Sequence, residues 1–246
     1  MEQCIQSVLS QESTKSAVYI ATSTPSEWID NVARAYDLPV FVNQGEHGIG
    51  PDWCFAYEQA STPLVTIAHQ DDVYCAGYAA DAITCMDKMP NSLFYFCNYG
   101  ELRGDEAVTG GLNLRIKRAL LLPLRSKRAS YAKVAKRFPI AFGNAICCPA
   151  VCYNKELLPA APFDTSMRNA LDWDCWERLS RQDGAFCYSP YVGMYHRIHE
   201  ESATSENIQD NTRSSEDLQM LQRFWPRPIA KFINRFYAHG MDSNAL

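Results

Sequence analysis

No apolar run in this chain approaches the ~18 residues that a membrane-crossing helix needs. Internal repeats and low-complexity tracts are missing too, which argues against a solenoid or a disordered linker. The opening residues Met1-Glu2-Gln3-Cys4 lack the basic and apolar parts of a secretory signal. Cysteine is plentiful, at 10 residues, but no two form a Cys-x-x-Cys pair, so zinc-ribbon and thioredoxin-like sites fail on spacing. Most cysteines lie in apolar stretches such as Leu93-Phe94-Tyr95-Phe96-Cys97, which predicts buried, reduced thiols and a cytoplasmic setting. An excess of positive charge is also lacking. The net charge is −5, and a chain of that balance is not predicted to bind nucleic acid.

What is present is a globular composition, 47% hydrophobic and 21% charged, over 246 residues. That length fits one α/β domain with a large core and no need of a disulfide or zinc staple. The first hundred residues alternate strand and helix patterns. A short helix is expected over 2–10, a buried strand over 17–21, and a helix capped by Thr24 with Pro25 in its first turn. A strand at 39–42, a loop through Asn43-Gln44-Gly45, a helix from Pro51 to Ala60 and a strand at 64–68 follow. After His69-Gln70-Asp71-Asp72 come a helix over 77–88 and a strand over 93–99. Such alternation predicts a mostly parallel sheet with helices on both faces, and ligands beyond the carboxyl ends of its strands.

The middle of the chain has a different charge. Residues 103–137 hold 10 Lys/Arg against two acids, Asp105 and Glu106, leaving 13 basic and 26 acidic residues elsewhere. Two helices split near Pro123 are expected there. The stretch reads either as an amphipathic cover with a solvated face or as a patch for phosphates or an anionic membrane surface. Phe138 to Ile146 reads equally as core or as part of an acceptor wall. A helix near 171–182, two short strands within 185–197 and a helical tail from about 205 complete the pattern. In that tail Phe232, Ile233, Phe236 and Tyr237 form an amphipathic face.

Three blocks carry chemistry. Asp71-Asp72, at a strand end, are adjacent carboxylates whose repulsion a hard divalent cation relieves; helix capping is the plainer reading. In Leu171-Asp172-Trp173-Asp174-Cys175-Trp176, acids near a helix start either complement its dipole or supply a general base. In Tyr195-His196-Arg197-Ile198-His199, strand alternation puts His196 on one face and His199 on the other, so the two are not expected to share a metal.

Taken in order, these blocks resemble family 2 glycosyltransferases of the GT-A fold, over roughly residues 1–203. Ile67-Ala68-His69-Gln70-Asp71-Asp72-Val73-Tyr74 is similar to the family's Asp-x-Asp stretch, Leu171 to Trp176 to its acidic helix, and His196-Arg197-Ile198-His199 to its Tyr-Arg-Ile-His end. Asn43-Gln44-Gly45 matches its Asn-x-Gly loop. The resemblance implies a single transferase domain over 1–246. Its parts would be a nucleotide-sugar half at 1–100, an acceptor and catalytic half at 101–204 and a helical tail at 205–246. It implies a nucleotide-diphospho-sugar donor contacted by Ser23, Thr24, Asn43, Gly45 and Asp71. It further implies Mn2+ or Mg2+ held by Asp71, Asp72 and His199, with Asp172 as the base that deprotonates an acceptor hydroxyl so that the anomeric carbon inverts. The acceptor implied is a glycan or lipid-linked saccharide, at or near the inner face of the cell membrane. The pattern departs in three places. His69 replaces the first acid, which favours manganese; Thr22-Ser23-Thr24-Pro25 replaces Asp-Asp-Gly-Ser; Leu171 replaces Glu. The family's first apolar strand has no counterpart before Glu2, which implies an N-terminally truncated GT-A domain with unpaired ladder groups, low stability and poor donor binding. The other expectations to be separated are a non-catalytic glycan- or partner-binding protein and a metal-dependent phosphohydrolase.

Overall fold

The computed structural model describes residues 1–12, 14–198 and 212–242. Helix α1 (Glu2–Leu9) leads to β1 (Ile20–Thr22), α2 (Glu27–Ala35), β2 (Val40–Val42), α3 (Ile49–Gln59), β3 (Leu64–Thr66) and β4 (Val73–Tyr74). Then come α4 (Tyr78–Asp87), the long β5 (Ser92–Arg103), β6 (Glu106–Val108), α5 (Leu112–Leu120), α6 (Lys133–Arg137), β7 (Val151–Asn154), α7 (Leu171–Ser180) and β8 (Ala185–Ile198). Two helices, α8 (Thr212–Gln222) and α9 (Arg227–Asp242), close the described chain. None of the described helices is long and apolar enough to cross a membrane.

The α/β class is as expected, but the ladder directions are mixed. Strands β1 and β2 pair in parallel and form a small sheet of their own. The main sheet has the order β3-β7-β5-β8-β4, with β6 attached to β5. There β5 and β8 are parallel, while the β3–β7, β5–β7, β5–β6 and β4–β8 pairs are antiparallel. For β4 the reason is chain length. Only residues 67–72 separate β3 from β4, too few for a crossover helix, so the chain reverses there. The aspartate pair sits in that reversal.

Several local expectations shift for identifiable reasons. The N-cap of α2 is Ser26, whose Oγ accepts from Ile29 N at 3.3 Å, and Thr24 stays outside the helix. Trp28 of this helix is exposed. The two short strands expected over 185–197 are one 14-residue strand, β8. It stays continuous across Pro190 because a bulge takes up the proline, and Asn98 Nδ2 donates to Pro190 O at 2.9 Å beside it.

The largest core cluster packs Phe94, Phe96, Phe186 and Trp176 around Tyr153 between the main sheet and α7. A second lies between the sheet and α4, around Tyr78, Tyr95 and Met194. A third, around Ile5, Ile20, Ile29 and Val32, serves only α1, α2 and the small sheet. Between β1 and β3 lies a cavity of about 1830 Å3 lined by both strands. Among the described residues β1 pairs only with β2 and β3 only with β7, so each turns an unpaired edge toward that space.

Candidate functional site

The turn after β3 brings the first acids together. Asp72 is fully buried. Its Oδ1 accepts from Arg197 N at 3.0 Å and pairs with His196 Nδ1 at 2.9 Å. Its Oδ2 is buried without a hydrogen-bond partner among the described residues, and so is His69 Nε2. Burial lowers the His69 pKa, against the pull of Asp72. His69 stacks on Trp53 of α3, ring centroids 5.0 Å apart. Burial alone would lower the His196 pKa, but the hydrogen bond and charge of Asp72, with Asp71, raise it above the ordinary value. Arg197 staples the turn from outside, its Nε donating to Asp71 O at 2.9 Å. His196 is therefore a partner of the site that the sequence reading left to the opposite face. It reaches Asp72 because β4 is a neighbour of β8, with Val73 opposite Tyr195. His199 lies outside the described residues.

Asp172 stands in the first turn of α7. Its Oδ1 accepts from Trp173 N at 2.7 Å and its Oδ2 from Asn144 Nδ2 at 2.7 Å. Asn144 is held in turn, since its Oδ1 accepts from Ile146 N at 3.2 Å and its N donates to the Tyr237 hydroxyl of α9 at 3.3 Å. The next acids of the helix are spent on structure. Asp174 is buried and pairs with Arg178 at 2.7 Å and Arg223 at 2.5 Å, and Glu177 pairs with Arg137 and Arg181. The Cys147 thiol feels both acid groups electrostatically. Burial first, then the charges of Asp72 and Asp172, raise its pKa, while Lys117 opposes them. Lys117 Nζ donates to the Tyr99 hydroxyl at 2.8 Å, beside His196.

The donor-side candidates are organised by a residue the sequence reading missed, Asp52 in the first turn of α3. It accepts from Ser23 Oγ at 2.8 Å, Asn43 Nδ2 at 2.8 Å and Gly48 N at 3.3 Å. Asn43 Oδ1 accepts from Gly45 N at 2.9 Å, and Asn43 Nδ2 also donates to Glu46 O at 2.8 Å, a side-chain turn that shapes the loop. Thr24 N donates to Thr22 Oγ1 at 3.1 Å. Ser23, Thr24, Asp52, Trp53 and His69 line the large cavity, whereas Asn43, Gly45, Asp71, Asp72 and Asp172 do not. An acid three residues into a helix with no local partner in sequence gave no signal; its role comes from the approach of α3 to β1.

For a divalent ion, no group of three or more His, Cys, Asp or Glu gathers among the described residues. The orphaned His69 Nε2 and Asp72 Oδ2 are nonetheless a nitrogen and a carboxylate oxygen, a pair suited to Mn2+. Ions of this kind are commonly held by one or two protein groups with substrate phosphates supplying the rest. The described residues thus offer two donor atoms of suitable type without an assembled metal site.

Neither a protein-family model nor a curated protein matches the chain in sequence. Solved structures do. TarS residues 1–349 of S. aureus in complex with UDP-GlcNAc superimposes with a TM-score of 0.60 at 15% identity, over 91% of this chain and 67% of that one. The mannosyltransferase PcManGT from Pyrobaculum calidifontis, in complex with GDP-Man and Mn2+, gives 0.60 at 13% identity, over 99% of this chain and 69% of that one. TarS with UDP gives 0.53 at 16% identity, over 90% and 65%. The chain thus spans about two thirds of the length of these structures. At such identities the likeness is one of architecture, and the architecture is the GT-A fold of nucleotide-sugar glycosyltransferases.

Proposed function

We propose that the chain is a metal-assisted, inverting glycosyltransferase that moves a sugar from a nucleotide-diphospho-sugar to a hydroxyl of a glycan or lipid-linked saccharide. The observation that carries this reading is the fixing of the Asp172 carboxylate at the start of α7, with Asn144 Nδ2 and Trp173 N each donating to it at 2.7 Å. A carboxylate fixed by two donors, with its immediate helix neighbours consumed in ion pairs, is suited to take a proton from an approaching hydroxyl. In this reading Ser23, Thr24 and the loop of Asn43 and Gly45 receive the nucleotide, with Asp52 holding them in place. Mn2+ or Mg2+ held by Asp71, Asp72 and His69, with His199 completing the set, would neutralise charge developing on the diphosphate.

The acceptor oxygen attacks the anomeric carbon while its proton passes to Asp172. The bond to the diphosphate breaks on the opposite face, so the carbon inverts and a nucleoside diphosphate leaves. General base catalysis contributes ~10²–10⁴-fold, so Asp172→Asn is expected to lose at least about a hundredfold in turnover while donor affinity stays. Product formation over a nucleotide-sugar panel with Mn2+, against donor binding by calorimetry, reads both. Full turnover in the variant would remove Asp172 from the base role.

A second reading has one specific observation behind it. The Ser23 hydroxyl and Asn43 amide are already engaged by Asp52, as in a chain that keeps the fold and binds a glycan without transfer. Glycan binding with no product from any donor would favour it. Donor hydrolysis outpacing transfer would instead favour the phosphohydrolase.

A further inference from the structure

We propose that the outer face of α9 docks on a lipid bilayer carrying anionic headgroups. The inner face of this helix is fixed. Ala230 is buried, Ile233 packs on the main core, and the Tyr237 ring lies 5.6 Å from that of Trp173. The outer face carries what a solvated helix excludes, since the side away from the core is normally polar. Ile229 is 45% exposed, Phe232 62% and Phe236 65%, and the two phenylalanine rings meet at 4.9 Å. Beside this apolar row runs a second row at four-residue spacing, the exposed cations Arg227, Lys231 and Arg235.

No Asp or Glu occurs from Leu218 through Met241, although the whole chain is net negative at −5. Charge complementarity therefore selects an anionic surface. A bilayer fits better than a protein groove because large rings and cations share one convex helix face. Lying in the interface plane, such a helix puts its rings at the acyl boundary and its cations among the phosphates. The apolar surface continues past the start of α9. Half-exposed Phe138 and Phe142 meet at 5.8 Å, and Phe142 meets Trp225 at 5.3 Å.

Several cations of the basic stretch at 103–137 are engaged by the fold. Arg103 pairs with Glu101, Arg118 donates to Thr109 O and Tyr99 O, Lys117 donates to Tyr99, Arg137 pairs with Glu177, and Lys136 is buried. Docking through α9 also has a consequence for the transfer reading. The helix rests on Trp173, next to Asp172, so that side of the site would face acceptors presented at the membrane surface.

The test uses the full chain, sedimented with vesicles of phosphatidylcholine alone or mixed with phosphatidylglycerol, at low and high salt. Binding is expected for the mixed vesicles and is weakened by salt. Lys231→Glu with Arg235→Glu is expected to weaken it at least about thirtyfold, at about fivefold for each cation withdrawn from the headgroups. Phe232→Ser with Phe236→Ser is expected to weaken it at least about tenfold, because less apolar surface enters the bilayer. Reversal of Lys127 and Arg128, exposed cations outside α9, leaves binding within about twofold on this view. Equal binding to both vesicle types, wild-type binding by both α9 variants, no binding at all, or equal loss on reversing Lys127 and Arg128 would each overturn the proposal. So would a dimer, seen by light scattering, that the phenylalanine variant dissolves while vesicles are ignored. Should a double variant fail to melt cooperatively, single Lys231→Glu and Phe232→Ser carry the same comparison.

Discussion

Asp71, Asp72, Asp172 and Asp174 look alike in the sequence as acids near element ends, but their surroundings divide them. Asp72 and Asp174 are buried and hold other elements in place; Asp172 is half-buried and is itself held by Asn144 Nδ2 and Trp173 N. In the proposed transfer Asn144, which donates to the Asp172 carboxylate, is the positioning residue, and nothing in its local sequence marks it. Removing its amide frees the carboxylate to turn away, and small misplacements of reacting groups cost up to ~10²-fold. Asn144→Ala is therefore expected to lower kcat by about ten- to a hundredfold with donor KM unchanged. Steady-state kinetics at varied donor concentration checks the split, since a purely structural role would also lower the melting temperature.

At the scale of elements, α7 is a clamp as well as a platform. Asp174 and Glu177 reach Arg223, which precedes α9, and Glu177 also reaches Arg137 at the end of α6. The carboxylates are buried while the arginines stay partly exposed, so screening reduces what the pairs contribute. Asp174→Ala is expected to cost about 2 kcal/mol, measured by urea denaturation, through cations left without their partner. A second element carries a pH signal. Lys136 of α6 is buried and donates to Gln182 O at 2.6 Å and Gly184 O at 2.8 Å. Burial first, then Lys133, pushes its ammonium down to about 8 from 10.5, with Asp183 opposing. The folded state thus binds fewer protons than the unfolded chain between these values, and stability rises with pH across that window. Relative to Lys136→Met, the native chain is expected to gain melting temperature between pH about 8 and 10.5 and to show no relative change below it. The sequence offered Lys136 only as one cation in an amphipathic run; its burial follows from α6 packing under the turn before β8.

For the molecule as a whole, the division into two sheets is the main consequence. The small sheet rests on its own cluster around Ile20, Ile29 and Val32, and it faces β3 across the large cavity instead of pairing with it. A unit with little buried apolar surface opens more readily than a central core. Amides of β1 and β2 are expected to exchange with solvent at least about tenfold faster than those of β5 and β8, read by hydrogen exchange. Saturation with a nucleoside diphosphate is expected to slow the exchange of Ala21 and Thr22 if the donor lies against Ser23. Equal protection of both sheets in the free chain would mean that the cavity is spanned in solution.

Patterns that depend on neighbouring residues were legible without coordinates. The strand–helix alternation of the first half, the acid turn after β3, the helix bearing Asp172 and the amphipathic tail all follow from periodicity and from blocks a few residues long. The mixed strand directions, the single long β8, the Asp52 hub, the partnership of His196 with Asp72 and that of Asn144 with Asp172 did not. Each joins residues distant in the chain, such as 72 with 196 and 144 with 172. Side-chain chemistry is written locally, so the sequence by itself determined which groups were available. Which of them are consumed in ion pairs, and which meet a hydrogen-bond partner far along the chain, depends on how β4, β8 and α7 pack together, and only the tertiary structure decided that.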